Sequence, residues 1–266
     1  MDDINKIKSL LHTGDLTNLR LGLTLAKNLG WYEQITKEYV KLFQAVVPFI
    51  KGIRLNQDPR TLSPEEQIHT LSKIDGLTLT DSWPASINEH LLLQIARIEQ
   101  VHISCELNER IASFLYRLSD LEQISFIGRQ VDRLPEAIGQ LGQLRLIALS
   151  ATSVSHFPSS FADLKIQELW MINCKLDHCF LEICDLQNLT LLTLRQNQLK
   201  QLPDHFAKLH KLEILDLARN RLTDIPSVLW QLPNLKQLNL EENNLSQEQI
   251  DAFKAMHPDC EVFFEW

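Results

Sequence analysis

The stretch QELWMINCKLDHC, residues 167–179, contains a tryptophan, two cysteines and a histidine, and Cys184 follows five residues later. Cysteine and histidine are common zinc ligands, and a cysteine beside a histidine can also act as a nucleophile. Three thiols and an imidazole this close in sequence suggest a zinc site or a reactive thiol centre. Either chemistry requires that the surrounding elements bring these side chains together.

This stretch lies within a sequence repeat. Residues 189–209 and 212–232 follow one template, L-x-x-L-x-L-x-x-N-x-L-x-x-L-P-x-x-L-x-x-L. Eight units spaced by 22–24 residues fit it, and they start at Ile74, Ile98, Leu121, Leu144, Ile166, Leu189, Leu212 and Leu235. The L-x-L part of each unit alternates as a half-buried strand does. Stacked units would bury a continuous leucine core that no single unit could bury alone.

The template resembles the leucine-rich repeat family over about residues 71–250, and in particular its intracellular 23-residue repeats with an LP dipeptide. The resemblance implies an α/β fold: a right-handed solenoid, or horseshoe, with a parallel sheet on its concave face and an N-terminal helical region. We therefore expect an N-terminal helical region (1–60), a linker with a short helix (61–73), eight repeats (74–245) and a C-terminal cap (246–266).

Both ends of the chain carry helix signals. Amphipathic patterns predict three helices, near residues 2–12, 16–29 and 31–51, with boundaries at Asp15 and Gly30. Ser63, followed by a proline, predicts the start of a short helix. Ser246, with a glutamine three residues later, predicts a capping box, and the final CEVFFEW predicts a last strand that closes the stack.

The asparagine position of the template is its ninth. A buried side chain there can bond to backbone groups of the turn that no strand satisfies. From the fourth unit to the eighth this position holds a structural ladder of Thr152, Cys174, Asn197, Asn220 and Asn243. The first three units depart from the pattern, with Ser82, Glu106 and Arg129.

The repeat assigns the cysteines of the opening stretch to separate places. Cys174 falls on the ladder, Cys179 on an inward leucine position, and Cys184 is expected on the convex side. His178 is expected to face away from Cys179. The side chains would not converge as zinc ligands must, and the sequence has no glycine-rich phosphate loop. We expect no metal, no cofactor and no enzymatic activity.

Composition restricts the location and the partners of the chain. The net charge is −8, with +3 in residues 1–60 and −11 in residues 61–266. A mostly acidic surface argues against nucleic acid as a ligand, because phosphates would be repelled. The absence of a long apolar run, of a secretory signal and of paired cysteines predicts a soluble cytoplasmic protein with no membrane span.

The repeat does not explain Trp170. Positions 3, 5, 7 and often 8 of each unit should face the concave side, where water would meet them. An apolar group gathers there in the middle units, consisting of Ile127, Leu146, Trp170, Ile172, Leu191 and Ile214. Arg195, Asp216 and Arg219 lie at its border. An apolar centre with a polar rim is typical of a protein-binding site.

Three functions fit these features. The first is a non-catalytic, scaffold-like module that recognises a partner protein through the concave face around Trp170. The second is a homodimer or other assembly subunit joined through the same apolar group. The third is the recognition subunit of an enzyme complex, a hypothesis suggested by a resemblance to bacterial ubiquitin-ligase effectors with leucine-rich repeats.

Overall fold

The computed structural model describes residues 2–51 and 58–264. The chain forms two compact units, Met1–His102 and Ile103–Trp266. The predicted boundaries of the helical region, the linker, the repeats and the cap remain predictions. Residues 52–57, which belong to the expected helical region, lie outside the described residues.

The first unit is mainly helical. Its helices are α1 (Asp2–Leu11), α2 (Leu16–Asn28), α3 (Tyr32–Val46), α4 (Pro64–Leu71) and α5 (Glu89–Ile95). Its strands are β1 (Ile50–Lys51), β2 (Gly76–Leu79) and β3 (Gln100–Ile103), the last of which ends at the first residue of the second unit. Strand β1 pairs antiparallel with β2, which is an exception to the parallel arrangement that the repeat predicts.

Local signals explain the limits of these helices. The Asp15 side chain accepts a hydrogen bond from the Asn18 backbone at the start of α2, and Gly30 follows that helix with a φ of +76°. Ser63 caps α4, as predicted, and it also forms a capping box with Glu66. The predicted third helix is wrong at its end: it stops at Val46, because Pro48 has no N–H to continue it.

The second unit consists of short strands separated by turns. Its strands are β4 (Gln123–Ile127), β5 (Leu146–Ser150), β6 (Glu168–Ile172), β7 (Leu191–Thr193), β8 (Ile214–Asp216), β9 (Gln237–Asn239) and β10 (Glu261–Phe263). Its α-helices are α6 (Glu109–Leu115) and α7 (Gln247–Met256). Single 3-10 turns lie at Glu136–Gln140, Ser159–Asp163, Leu181–Asp185, Asp204–Lys208 and Ser227–Gln231.

Strands β4 to β10 pair in parallel and in chain order. Equivalent repeat positions are therefore direct neighbours, as Ala148, Trp170 and Thr193 are at position 5. The apolar residues at positions 4 and 6 are buried throughout, including Phe126, and Phe161 and Phe206 on the turns are fully buried as well. This arrangement confirms the predicted α/β solenoid with a parallel sheet.

Each repeat turns sharply after its strand. The residue at position 8 has a positive φ in six consecutive units: Gly128, Ala151, Asn173, Gln196, Arg219 and Glu242. A non-glycine residue in the left-handed region costs roughly 1 kcal/mol or more, so the turn requires compensation. The buried ladder residue at the next position supplies it through hydrogen bonds to the turn.

Near the end of the second unit the predicted capping box and closing strand are present, and residues 265–266 of the predicted cap lie outside the described residues. Ser246 and Gln249 form the capping box of α7, and the helix ends just before Pro258. Strand β10 then pairs in parallel with β9, with Phe263 opposite Asn239. The sheet therefore continues one strand beyond the last full repeat.

Candidate functional site

Trp170 lies on β6 between two small neighbours. Ala148 is opposite it on β5 and Thr193 is opposite it on β7. Leu169 and Met171, on either side along the strand, are fully buried, so the alternation of the strand points Trp170 to the other face of the sheet. Because its neighbours are too short to cover the indole, 37% of Trp170 stays exposed.

The other predicted apolar residues lie on the same face but form separate rows. Ile127 is 45% exposed and lies in register with Ser150, which in turn neighbours Ile172. Leu191 and Ile214 are direct neighbours at position 3 and are half-buried. These contacts place apolar side chains on both sides of the tryptophan row.

A polar residue interrupts the predicted patch. Glu168 lies in register between Leu146 on β5 and Leu191 on β7, so a carboxylate separates two members of the apolar group. Ser150 separates Ile127 from Ile172 in the same way. The apolar surface is therefore a set of small areas around Trp170 that alternate with groups able to form hydrogen bonds.

The charged border is held by its own ion pairs. Arg195 lies 3.9 Å from Asp216 and 3.8 Å from Glu241, so a single guanidinium group serves two carboxylates. Arg219 contacts Glu242 at 2.7 Å. Asp216 also accepts a hydrogen bond from the Ala218 backbone at 2.9 Å, which fixes its orientation. The charged residues of the border therefore pair with one another.

The ladder residues face the interior of the second unit. Asn197, Asn220 and Asn243 each donate to carbonyl groups of their own unit and of the preceding unit. Cys174 replaces one asparagine, and its Sγ lies 3.3 Å from the Thr152 hydroxyl. These side chains hold the turns and present no surface to a ligand.

The remaining thiols are also enclosed. Cys184 lies in the 3-10 turn Leu181–Asp185, and its side chain is fully buried, although the sequence placed it on the convex side. Burial raises the pKa of Cys184 to about 11 and raises that of Cys179 further. His178 is exposed and bonds to Asp177 at 2.6 Å. A thiol kept protonated and out of water is a poor nucleophile.

The part of the chain that the structure describes contains no group of three or more histidine, cysteine, aspartate or glutamate side chains able to hold a metal ion. Across those same residues, none of the helices is both long and apolar enough to span a membrane.

One residue of this face was missed by the sequence analysis. Phe263 on β10 is 39% exposed, and its register with Asn239 places it at position 5, the position of Trp170. The signal was present in the sequence, because CEVFFEW places Glu261 and Phe263 where positions 3 and 5 of a ninth unit would fall. Because this segment was interpreted only as a closing strand, Phe263 was not assigned to the concave face.

Residues 186–245 match the family described as Leucine rich repeat. Together with the stacked strands and the ladder, this match shows that residues 186–245 are leucine-rich repeats and that the second unit has the leucine-rich repeat fold. The leucine-rich repeat fold is commonly a protein–protein interaction module, and proteins with it typically bind without catalysis. No curated protein matches the sequence.

Solved structures show the same fold. Human trophoblast glycoprotein, also called Wnt-activated inhibitory factor 1, is 20% identical with a TM-score of 0.56, and the match covers 72% of this chain and 76% of that one. An internalin from Listeria monocytogenes is 19% identical with a TM-score of 0.52, covering 74% of this chain and 57% of that one.

A leucine-rich repeat protein of Leptospira interrogans is 21% identical with a TM-score of 0.48, and the match covers 70% of this chain and 60% of that one. The chain therefore spans less than two thirds of the Leptospira and Listeria structures.

Proposed function

We propose that this chain is a non-catalytic recognition module that binds a partner protein through the concave face centred on Trp170. The observation that carries the proposal is an indole exposed between Ala148 and Thr193 on a sheet whose register is fixed. The indole is accessible and its strand is paired on both sides, so a partner would meet an anchor whose backbone is already held by hydrogen bonds.

The energy available supports this role. Burying the exposed third of a tryptophan removes roughly 90 Å² from water, which corresponds to about 2 kcal/mol before the costs of association. Ile127 and the half-buried side chains beside the tryptophan would add to this contribution. Glu168 and Ser150 among them would give a partner hydrogen-bonding groups to match, and therefore specificity.

Net charge supports a protein rather than a nucleic acid as the partner. The chain carries a net charge of −8, which repels a phosphate backbone.

We also propose that the protein acts in the cytoplasm, since five free cysteines, all buried and unpaired, suit a reducing compartment. Recognition of a substrate for a separate enzyme chain would use the same face.

An affinity capture from a cell extract with three forms of the protein tests the proposal. Trp170→Glu places a charge in the centre of the face, and Leu181→Glu places the same charge on a 3-10 turn where the leucine is 52% exposed. We expect a protein that the wild type and Leu181→Glu retain and that Trp170→Glu loses. Retention of the same proteins by all three forms would contradict the proposal.

Light scattering on the same samples distinguishes partner recognition from self-assembly. A wild-type dimer that Trp170→Glu converts to a monomer would make the concave face a contact between copies and would overturn partner recognition. A monomeric wild type is the expected result.

A further inference from the structure

Two exposed aromatic side chains share one row of the concave face. Trp170 on β6 and Phe263 on β10 both occupy position 5, joined through Thr193, Asp216 and Asn239 by unbroken parallel register. Four strand spacings of about 4.8 Å separate them, or roughly 19 Å. They are exposed to nearly the same extent, 37% and 39%.

Carboxylates dominate the surface around this row. The described positions 3, 5, 7 and 8 of strands β4 to β10 carry five carboxylates and two guanidinium groups, a net charge of −3: Glu168, Asp216, Glu241, Glu242 and Glu261 against Arg195 and Arg219. Among the described residues no lysine or arginine pairs with Glu168, and the carboxylate of Glu261 accepts a hydrogen bond only from the side-chain amide of Gln237. These two carboxylates lie near the two aromatic anchors.

We propose, on the basis of the proposed function, that the occupant of this face is a lysine- and arginine-rich protein segment with two apolar side chains about 19 Å apart. One apolar side chain meets Trp170 and the other meets Phe263. The basic side chains meet Asp216 and Glu241, which lie between the anchors and share one cation, Arg195.

The spacing defines which segments fit. In an extended segment, at about 3.3 Å per residue, anchors six residues apart are about 20 Å apart and face the same side. In a helix, at 1.5 Å and about 100° per residue, anchors fourteen residues apart are about 21 Å apart and lie near the same face. Either form leaves room between the anchors for two or three basic residues directed at the face.

Charge argues against a second copy of this chain as the occupant. Two concave faces meeting around a two-fold axis would oppose identical surfaces, each with a net charge of −3. Like charges brought together at an interface are unfavourable. A basic segment removes this repulsion and supplies cations to Glu168 and Glu261.

Selection from a displayed library of random 16-residue peptides on the purified full chain tests this inference. We expect enriched peptides with an excess of lysine and arginine and with two apolar residues at one of the two separations. Binding of each enriched peptide is then measured by fluorescence anisotropy at 50 and 300 mM salt. The expected affinity falls as salt rises, because the contacts with the acidic face are screened.

Four variants assign the roles. We expect Phe263→Ser to weaken two-anchor peptides about tenfold and to leave peptides shortened to one anchor unchanged. The double variant Glu241→Gln with Glu261→Gln keeps the side-chain shapes and should reduce the salt dependence. Trp170→Ser should abolish binding of both peptide types, whereas Leu181→Ser, on a 3-10 turn, should change nothing. Circular dichroism of each variant reports folding, and the glutamine variants leave the buried core untouched.

The outcomes separate the inference from the proposed function. Enriched peptides that need Trp170 but are acidic or uncharged would contradict the basic two-anchor segment. So would peptides whose binding does not change with Phe263→Ser or with the double glutamine variant. Either result would still support recognition at Trp170. Equal binding by Trp170→Ser and Leu181→Ser would overturn the proposed function itself. A selection that enriches no peptide would contradict the inference, while the protein capture would still test the proposed function.

Discussion

Asn197 closes the turn of the preceding repeat: its Oδ1 accepts hydrogen bonds from the backbone N–H groups of Cys174 and Leu176 at 3.0 and 3.2 Å. Its Nδ2 donates to the carbonyl oxygens of Met171 and Leu194 at 2.7 and 2.8 Å. One side chain therefore satisfies four buried backbone groups in two neighbouring units. The strand on which Trp170 lies is held at its end by this residue.

We predict that Asn197→Ala lowers the free energy of unfolding by about 2–4 kcal/mol, because it leaves buried N–H and C=O groups without partners. Urea denaturation measures the change. Asn244→Ala is the matched control, since Asn244 is an exposed asparagine, and it should cost less than about 0.5 kcal/mol. Equal losses in the two variants would show that the ladder does not stabilise the unit in this way.

The first unit contains a histidine that should make its stability depend on pH. His12 bonds to the Tyr39 hydroxyl at 2.7 Å, and burial, assisted by Lys8, lowers its pKa from 6.5 to about 4. Between these values the unfolded chain binds more protons than the folded one. The contribution of neutral His12 is fully present above about pH 6.5 and is lost as the pH falls towards 4.

We expect wild type to lose about 1–2 kcal/mol more stability between pH 7 and pH 5 than His12→Gln does, measured by urea denaturation at both values. His178→Gln, which replaces an exposed histidine, should behave as wild type does. A His12→Gln variant with unchanged pH dependence would show that His12 is not held neutral by its surroundings.

The five thiols should not react with thiol reagents in the folded protein. All five cysteines are buried and free, and burial raises the pKa of Cys179, Cys184 and Cys260. We predict no rapid reaction with a disulfide reagent at pH 8 and five equivalents of reaction after unfolding in urea. Leu181→Cys, at an exposed position, should add one rapid equivalent. Rapid reaction of one equivalent of thiol in the wild type would show that a thiolate is accessible and would support a reactive thiol centre.

The sequence predicts the repeat and its ladder well because both depend on periodic burial, which leaves a periodic pattern of leucine and asparagine. The helix starts at Ser63 and Ser246 depend on local residues and could be predicted equally well. The end of α3 was missed even though Pro48 marks it, because the amphipathic pattern continues past the proline.

The composition of the concave face was harder to predict. Which residues touch across strands depends on register. The repeat already puts Glu168 between Leu146 and Leu191 at position 3, and the register shows that the three are direct neighbours, so a carboxylate divides the apolar group. The burial of Cys184 depends on the packing of a 3-10 turn that no period describes. Phe263 joins the face only because β10 adds a strand after a helix.

Recognition of a protein at Trp170 is the central claim, and an equilibrium titration tests it most directly. The protein retained in the capture is purified and titrated against wild type, Trp170→Glu and Leu181→Glu. We predict that Trp170→Glu raises Kd by at least about thirtyfold, as loss of a central anchor does, and that Leu181→Glu stays within about twofold of wild type. Equal Kd values for Trp170→Glu and wild type would contradict the account.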